Sequence, residues 1–399
     1  MNTPKIRFKG FTDDWEQRKL KNLIEEYKET VDSSCALPIL TSSKTEGVIL
    51  QEEHFGRKQN HDITGYNILP RNYCTYRNRS DGVDFTFNIN KCCDKGIISK
   101  FYPVFCGKEN DTFFISLVLN NSDEVVREIG YTCTGTGQKV LSFLDLQKMH
   151  LRVPTSNEQK KIAGFFTGLD DLITLHQRKC DETKQLKKFM LQKMFPKNGE
   201  KNPEIRFEGF TDDWEQRKLS ELTTMHARIG WQNLRTSEFL DSGDYMLITG
   251  TDFQDGVIDY STCHYVEKER YDQDKNIQIK NGSILITKDG TLGKVAYVQG
   301  LMMPATLNAG VFNVTIKNEN IMDGKYLFQY LKAPFLMDYV SKKATGGTIK
   351  HLNQSILVDF PVAMPKREEQ VKISRYFTAL DNLITLHQRK CDETKQLKK

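Results

Sequence analysis

The chain of 399 residues has no uninterrupted run of about 18 apolar residues, the length that a membrane-spanning helix requires. Its first residues, MNTPKIRFKG, contain no apolar signal core. The nine cysteines form no CxxC pair and no cysteine–histidine cluster with zinc spacing. We therefore predict a protein of the reducing cytoplasm that binds no metal, since disulfides form in oxidising compartments.

Motifs for catalysis are also missing. The segments Gly135–Lys139 and Gly290–Lys294 resemble phosphate-binding loops, but neither completes the GxxxxGK[ST] pattern. No glycine pattern opens a dinucleotide-binding unit, and no Asn/Asp-Pro-Pro motif or Ser/His/Asp arrangement is present. The ExK fragment Glu182–Lys184 falls on a predicted helix, whereas a nuclease needs it on a strand. The sequence thus predicts a chain without catalytic residues and without a cofactor of its own.

The charge balance is only mildly basic. The formal net charge is +5, with 38% hydrophobic and 27% charged residues, and the isoelectric point is about 8.5. This excess permits a nucleic-acid partner without requiring one, because strongly basic nucleic-acid-binding domains lie above a pI of about 9. The length indicates two or three domains.

Two internal repeats organise the chain. The leading repeat, Pro4–Leu20, returns at Pro203–Leu219 with 15 of 17 positions identical. The helical repeat, Leu169–Lys188, returns at Leu380–Lys399 with 19 of 20 positions identical. Between the repeats lie body 1 (residues 21–153) and body 2 (residues 220–364), which differ in sequence. The pattern predicts one duplicated frame that carries two divergent bodies.

Apolar residues in the helical segments recur at alternating spacings of four and three. This period predicts helices that pack along another helix, and residues 157–195 would span about 58 Å. We expect the two helices to pair, antiparallel, with part of this surface serving a partner, and we interpret His176 and His387 as helix-interface residues. The sequence ends at Lys399, so the second helix is predicted to be shorter. The candidate partner-binding residues are Ile162, Phe166, Leu169, Ile173, Ile373, Phe377, Leu380 and Ile384.

Each leading repeat contains one tryptophan, Trp15 or Trp214, near a phenylalanine, Phe11 or Phe210. We interpret these rings as pins that fix each body to the frame, in preference to direct DNA contacts.

Body 2 has the pattern of short strands separated by turns. Strands are predicted at Tyr245–Thr249, Ser283–Thr287, Lys294–Gln299 and Val311–Ile316, with Asp289-Gly290 as a hairpin turn. A helical stretch at Met322–Val340, a short helix at Leu352–Leu357 and a closing strand at Phe360–Met364 follow. Body 1 repeats this order with different residues in the turn after the central strand.

The glycine-rich loops suit nucleic acid, because glycine lets the backbone approach and threonine and lysine contact phosphates. Base reading requires Arg, Lys, Asn or Gln at groove depth. The candidate DNA-binding residues are Arg71, Arg77, Asn78, Arg79, Thr136 and Lys139 in body 1, and Lys288, Asp289, Thr291, Lys294, Gly346, Gly347, Thr348, Lys350 and Asn353 in body 2.

Taken together, the chain resembles the specificity subunit of type I restriction–modification systems. The resemblance covers the whole chain, and four motifs carry it: the doubled FTDDWEQRKL, the doubled LDNLITLHQRK with one Asp/Asn difference, TKDGTLGKV and TGGTIKHLN. It implies an α+β chain with two α/β target recognition domains, two long antiparallel helices and pseudo-twofold internal symmetry. The implied domains are leading segments 1–20 and 200–219, recognition domains 21–153 and 220–364, the central helix with linker 154–199, and the C-terminal helix 365–399.

The resemblance also implies that each recognition domain reads one half of a split DNA site, while the helices set the spacing and dock two adenine-methyltransferase subunits. Motor–nuclease subunits would complete the complex. S-adenosylmethionine, ATP and Mg²⁺ would be used by those partners, not by this chain. A protein-binding scaffold without sequence-specific DNA readout is the alternative, and a self-sufficient nuclease or methyltransferase would need catalytic motifs that the sequence lacks.

Overall fold

The computed structural model describes residues 4–58, 62–135, 137–197, 199–230, 233–290, 292–343 and 352–398. Contacts divide the chain into two units. Unit 1 comprises Met1–Leu172 with Lys398–Lys399, and unit 2 comprises Ile173–Leu397. Both units combine helices with small, mainly antiparallel sheets, which confirms the predicted α+β class. No helix among these residues combines the length and apolar content that crossing a membrane needs.

Unit 1 runs from the leading repeat to the first half of a long helix. Its strands are β1 (Glu16–Lys19), β2 (Ile24–Glu26), β3 (Leu40–Ser43), β4 (Gly47–Leu50), β5 (Asn67–Pro70), β6 (Cys74–Thr75), β7 (Arg79–Ser80), β8 (Asn88–Ile89), β9 (Lys95–Ile98), β10 (Val104–Gly107), β11 (Lys139–Val140) and β12 (His150–Val153). Its helices are α1 (Gln51–Phe55), α2 (Thr112–Asn121), α3 (Asp123–Thr132), α4 (Phe143–Lys148) and α5 (Ser156–Lys193), which continues into unit 2.

The centre of unit 1 is a four-stranded antiparallel sheet in the order β2-β10-β6-β8. Helices α2, α3 and α4 contribute Phe114, Ile129 and Leu146 to the same buried cluster as Tyr76 and Phe105. The other strands form the pairs β1-β12, β3-β4, β5-β9 and β7-β11. An isolated parallel bridge joins Ile39 to Ile97.

Unit 2 repeats this plan with longer strands. Its strands are β13 (Glu215–Lys218), β14 (Thr223–Ala227), β15 (Tyr245–Ile248), β16 (Phe253–Gln254), β17 (Val257–Ile258), β18 (His264–Val266), β19 (Gln278–Ile279), β20 (Ile284–Thr287), β21 (Val295–Tyr297), β22 (Ala305–Leu307), β23 (Val311–Ile316) and β24 (Pro361–Met364). Its helices are α6 (Leu219–Leu222), α7 (Lys268–Asp272), α8 (Gly324–Lys332), α9 (Phe335–Lys343), α10 (Gln354–Val358) and α11 (Arg367–Lys398).

Two four-stranded sheets organise unit 2. The order β14-β23-β20-β21 matches the central sheet of unit 1, and β18-β15-β22-β19 contains a parallel β15-β22 pair at the place of the Ile39–Ile97 bridge. The four strands predicted for body 2 are all present. The predicted hairpin is confirmed, since β20 and β21 pair antiparallel and Gly290 has a φ of +73°. The predicted Met322–Val340 stretch is two helices, α8 and α9.

Each leading repeat belongs to the sheet structure of its own unit. Strand β1 pairs with β12, with Glu16 opposite Val153, and β13 pairs with β24, with Glu215 opposite Met364. The predicted boundaries after residues 20 and 219 therefore separate strands that are hydrogen-bonded partners. The last strand of each body thus lies beside the strand of the leading repeat that precedes that body.

Both tryptophans pack as the predicted pins. Trp15 meets Phe114 edge to face, with ring centroids 5.7 Å apart. Trp214 is 5% exposed and packs against Phe195 and Tyr326 at 6.4 and 6.2 Å. Each ring thus ties a leading repeat to the core of its unit.

A buried ion pair fixes each leading repeat to the start of a long helix. Arg7 donates two hydrogen bonds to Glu158, at 2.9 and 2.7 Å, and Arg206 donates two to Glu369, both at 2.8 Å. Both glutamates are 1% exposed. A bidentate pair of this kind combines charge with a fixed geometry.

Within unit 2, α5 from Ile173 onward runs antiparallel to α11. The Nδ1 atoms of His176 and His387 lie 3.2 Å apart. On either side, Cys180 Sγ approaches the Ile384 carbonyl and Cys391 Sγ approaches the Ile173 carbonyl, both at 3.9 Å. The antiparallel helix pair and the helix-interface interpretation of both histidines are confirmed.

Candidate nucleic-acid interface

The structure brings together two segments of unit 1 that were predicted separately to contact DNA. Strand β7 pairs with β11, so that Arg79 lies opposite Val140 and Ser80 opposite Lys139. Beside them, Leu141 N donates to Asn78 O at 3.0 Å. The turn after the central strand and the glycine-rich loop therefore form one surface.

Gly135 shapes that loop. Its φ is +96°, and a Cβ at this position would lie 2.4 Å from the Gln138 carbonyl oxygen. Any other residue would be strained here, which explains one glycine of the TGTGQK segment. Thr136 lies outside the described residues.

The four remaining unit 1 candidates differ in their contacts. Arg71 is occupied, since it donates to Asp94 at 2.8 Å and to the Lys91 carbonyl at 3.0 Å. The Asn78 Oδ1 atom is buried and so does not reach a base edge in this conformation. Arg77 and Arg79 are exposed.

Unit 1 also contains a cavity of about 580 Å³ beside the two exposed arginines. Its lining includes Arg77, Arg79, Gln138 and Lys44 together with the segment from Ser80 to Thr86. Asp84 in that segment forms an ion pair with Lys44 and accepts a hydrogen bond from Ser80 at 2.7 Å. The Lys44 ammonium and the Ser80 hydroxyl hold the pKa of Asp84 below its ordinary value.

In unit 2, Lys288 occupies the place that Asn78 has in unit 1. It follows the central strand, and its carbonyl accepts from Leu352 N at 2.8 Å, as the Asn78 carbonyl accepts from Leu141 N. Its ammonium lies over the Phe312 ring, 5.6 Å from the centroid. The residue that leaves each glycine-rich loop is thus fixed to the same point of each central sheet.

The remaining unit 2 candidates lie near this point or outside the described residues. Lys294 and Asn353 are exposed, and Asp289 is half-buried. Lys294 N donates to Thr287 Oγ1 at 2.9 Å, which closes the β20-β21 hairpin. The candidates outside the described residues are Thr291, Gly346, Gly347, Thr348 and Lys350.

Sequence reasoning missed several residues of the unit 1 surface, namely Lys44, Lys100, Phe101 and Gln138. Phe101 lies between β9 and β10, and its carbonyl accepts from Asn78 N at 2.9 Å. A basic–aromatic dipeptide, Lys100-Phe101, is the only sequence signal that could have indicated it.

The predicted partner-binding side chains divide by burial. Leu169, Ile373, Phe377 and Leu380 are between 0 and 7% exposed, so they are occupied within the chain. Phe377 stacks on Phe195 with centroids 5.8 Å apart. A partner contact remains a prediction for the half-buried Ile162, Phe166, Ile173 and Ile384. Large apolar side chains exposed on the same helices are Phe165, Leu172, Leu186, Phe189, Leu383 and Leu397.

The described residues contain no group of three or more His, Cys, Asp or Glu side chains that could hold a metal ion. Burial, and then the neighbouring His176, lower the pKa of His387 below its ordinary value. Burial also raises the pKa of Cys263 to about 12, so this thiol is not a ready nucleophile.

Comparison with known proteins gives a consistent result. The family model described as "Type I restriction modification DNA specificity domain" matches twice, at residues 12–185 and 211–396. The type I restriction enzyme MjaVIII specificity subunit of Methanocaldococcus jannaschii is 23% identical over 273 residues, which is 66% of this chain and 63% of that protein. The chain therefore matches somewhat less than two thirds of that relative's length. The EcoR124I/EcoR124II specificity subunit of Escherichia coli is 26% identical over 151 residues, 37% of each chain.

Two solved structures share the fold. The S subunit of a type I restriction–modification system from M. genitalium aligns over 99% of this chain and 96% of its own, with a TM-score of 0.60 and 13% identity. A chain from a structural study of complex assembly in the type I system aligns over 97% and 96%, with a TM-score of 0.53 and 15% identity.

Proposed function

Because the chain belongs to the family of type I restriction–modification specificity proteins, we propose that it selects the DNA sequence on which a multisubunit complex acts. Unit 1 reads one half of a split site and unit 2 reads the other half. The long helices set the number of unread bases between the halves. The chain itself contributes recognition, and the chemistry belongs to other subunits.

One observation carries this proposal: equivalent points of the two units have the same backbone anchor and different side chains. Leu141 N bonds to Asn78 O in unit 1, and Leu352 N bonds to Lys288 O in unit 2. Arginines flank the first point, whereas Thr287 and Asp289 flank the second. Base recognition depends on which donors and acceptors a protein presents in the groove. Two readers of different sequences would show this pattern.

The proposed partners follow from the same role. Double-stranded DNA is the ligand, and two adenine-methyltransferase subunits dock on the helices through the half-buried and exposed apolar side chains. Motor–nuclease subunits complete the complex in the cytoplasm. S-adenosylmethionine, ATP and Mg²⁺ would be held by those subunits.

The test is an exchange of body 1. Residues 21–153 are replaced by the corresponding body of another specificity subunit, and the chain is expressed with its methyltransferase partners. Sequencing that detects methylated adenine then gives the recognised site. We expect one half of the site to change while the other half and the spacing stay the same, and an exchange of residues 220–364 to do the converse.

A change in both halves, or in neither, contradicts modular reading. Binding that is indifferent to sequence would instead support the alternative, a protein-binding scaffold.

A further inference from the structure

Arg79 and Phe101 form a preorganised pair on the unit 1 surface. The Arg79 guanidinium carbon lies 4.7 Å from the centroid of the Phe101 ring, which is 39% exposed. The Lys100 ammonium lies 5.9 Å from the same ring. Contact with an aromatic ring restricts an arginine while leaving its N–H donors available.

The donors of Arg79 are unused within the part of the chain that the structure describes. Neither Arg79 nor Arg77 makes a side-chain hydrogen bond or ion pair there, whereas Arg71 bonds to Asp94 and to a carbonyl. The backbone beneath Arg79 is fixed on both sides, by the β7-β11 pair and by the bond from Asn78 N to Phe101 O.

The carboxylates nearby argue for a base edge over a phosphate. Asp81 and Asp84 line the same cavity as Arg79. Asp84 is paired with Lys44 and Ser80, so the negative charge that disfavours a phosphate next to Arg79 is that of Asp81. A G·C pair offers two acceptors, guanine N7 and O6, and one donor, cytosine N4. An arginine with free N–H donors beside Asp81 matches that set of groups, because the guanidinium can donate to N7 and O6 while the carboxylate can accept from N4.

We propose that Arg79 reads the guanine of a G·C pair in the half-site of unit 1, and that Phe101 is the positioning residue that holds it. This inference rests on the proposed function, because it assumes that unit 1 reads DNA. It assigns the chemistry of one base pair in that half-site.

The experiment uses the full chain in complex with its methyltransferase subunits and a duplex library randomised over the unit 1 half-site. Arg79→Ala is expected to lower discrimination for one G·C position about 10- to 100-fold, the range of a bidentate arginine–guanine contact. Phe101→Leu is expected to lower discrimination at the same position by a smaller factor. Phe101→Tyr, which keeps an aromatic ring under Arg79, is expected to retain it. A loss of packing alone would not be confined to one base position.

Arg77→Ala is the matched control, since Arg77 is exposed nearby but contacts no ring in the described chain. It is expected to change affinity equally for all sequences. Unchanged discrimination at the other positions of the unit 1 half-site shows that unit 1 remains folded in every variant, and unchanged recognition by unit 2 shows the same for unit 2.

Three results overturn the inference: a unit 1 half-site without a G·C pair, a uniform loss for Arg79→Ala as expected of a phosphate contact, or relaxation of the same position by Arg77→Ala. These differ from failure of the proposed function, in which the unaltered chain selects no split site at all.

Discussion

Units 1 and 2 share the hydrogen bonds that join each body to its long helix and differ in the side chains of their exposed turns. Gln159 accepts from Asp111 N at 3.2 Å in unit 1, and Gln370 accepts from Asp323 N at 2.8 Å in unit 2. Each glutamine also donates to the carbonyl of a proline that precedes its helix. The frame is thus preserved at the level of single hydrogen bonds, although the bodies that it supports differ in sequence.

The difference lies in the side chains around one conserved anchor. Unit 1 presents Arg77 and Arg79 around Asn78, and unit 2 presents Lys288 and Asp289 after a buried Thr287. Buried polar groups must keep their partners, because an unpaired one costs about 1–3 kcal/mol. Exposed turn residues carry no such constraint, so a recognition surface can change while the frame remains fixed.

The largest expected contrast is in the core beneath the helices. Phe377 is fully buried, while its repeat counterpart Phe166 is half-buried. We expect Phe377→Ala to destabilise unit 2 by about 4 kcal/mol, and Phe166→Ala to destabilise unit 1 by about 2 kcal/mol. Urea unfolding followed by hydrogen exchange resolves the two units, and equal losses would contradict the difference in packing.

The buried ion pairs should give the opposite order. Arg206 also donates to Asn202 Oδ1 at 2.8 Å and to the Asp212 carbonyl at 2.7 Å, whereas Arg7 bonds only to Glu158 within the described chain. Glu158→Ala therefore leaves Arg7 without a hydrogen-bond partner among the described residues, whereas Glu369→Ala leaves Arg206 with two. We expect the free energy of unfolding to fall by about 3 kcal/mol for Glu158→Ala and by about 2 kcal/mol for Glu369→Ala. The same unfolding measurement checks this, and a larger loss in unit 2 would show that the extra bonds do not compensate.

A smaller effect is expected at the two candidate phosphate contacts. Lys139→Ala in unit 1 and Lys294→Ala in unit 2 should each lower the slope of log affinity against log salt concentration by about 0.9, the value for one lost phosphate contact. Sequence preference should not change. DNA-binding titrations between low and physiological salt measure the slope, and an unchanged slope removes that lysine from the interface.

The smallest expected effect is a pH dependence where the two helical repeats meet. The pKa of His387 in the folded chain is below its ordinary 6.5, because of burial and the neighbouring His176, Lys179 and Lys390. The unfolded chain therefore binds the proton more readily, so stability should be constant above pH 6.5 and decrease as the pH falls below it. His387→Gln should reduce this decrease in melting experiments. If the unaltered chain and the His387→Gln variant lose stability equally at low pH, the loss is due to other titratable groups.

Much of this architecture was predictable from local patterns. Val311–Ile316 was predicted as a strand and is β23, and the Asp289-Gly290 turn joins β20 to β21. A run of β-branched and aromatic residues and a turn dipeptide report the local backbone directly. The 4-3 apolar spacing also located the helices to within a few residues.

The candidate site was predictable only in part, because it depends on contacts between distant segments. The apolar spacing of Ile373 and Phe377 predicts which face of the helix is packed, but it does not predict what packs against that face. In the structure these side chains pack into the core of unit 2. Phe101 belongs to no repeat and no periodic pattern, and only the hydrogen bond from Asn78 places it under Arg79. Arg71 and Arg79 are both exposed, and the bonds of Arg71 to Asp94 and to the Lys91 carbonyl are what separate them, contacts on which sequence carries little information.

The strand pairs β1-β12 and β13-β24 bear on how such a chain could diversify. In each unit the chain enters the body from one strand of a short antiparallel pair and returns to the other strand at the end of the body. Lys19 lies opposite His150 in unit 1, and Lys218 lies opposite Pro361 in unit 2. A genetic exchange between these points would transplant a whole body while preserving the ladder and the arginine–glutamate pair, whereas the ring that packs on each tryptophan, Phe114 or Tyr326, would come from the new body. Because the flanking repeats are almost identical, recombination within one such gene could also move a body from one position to the other.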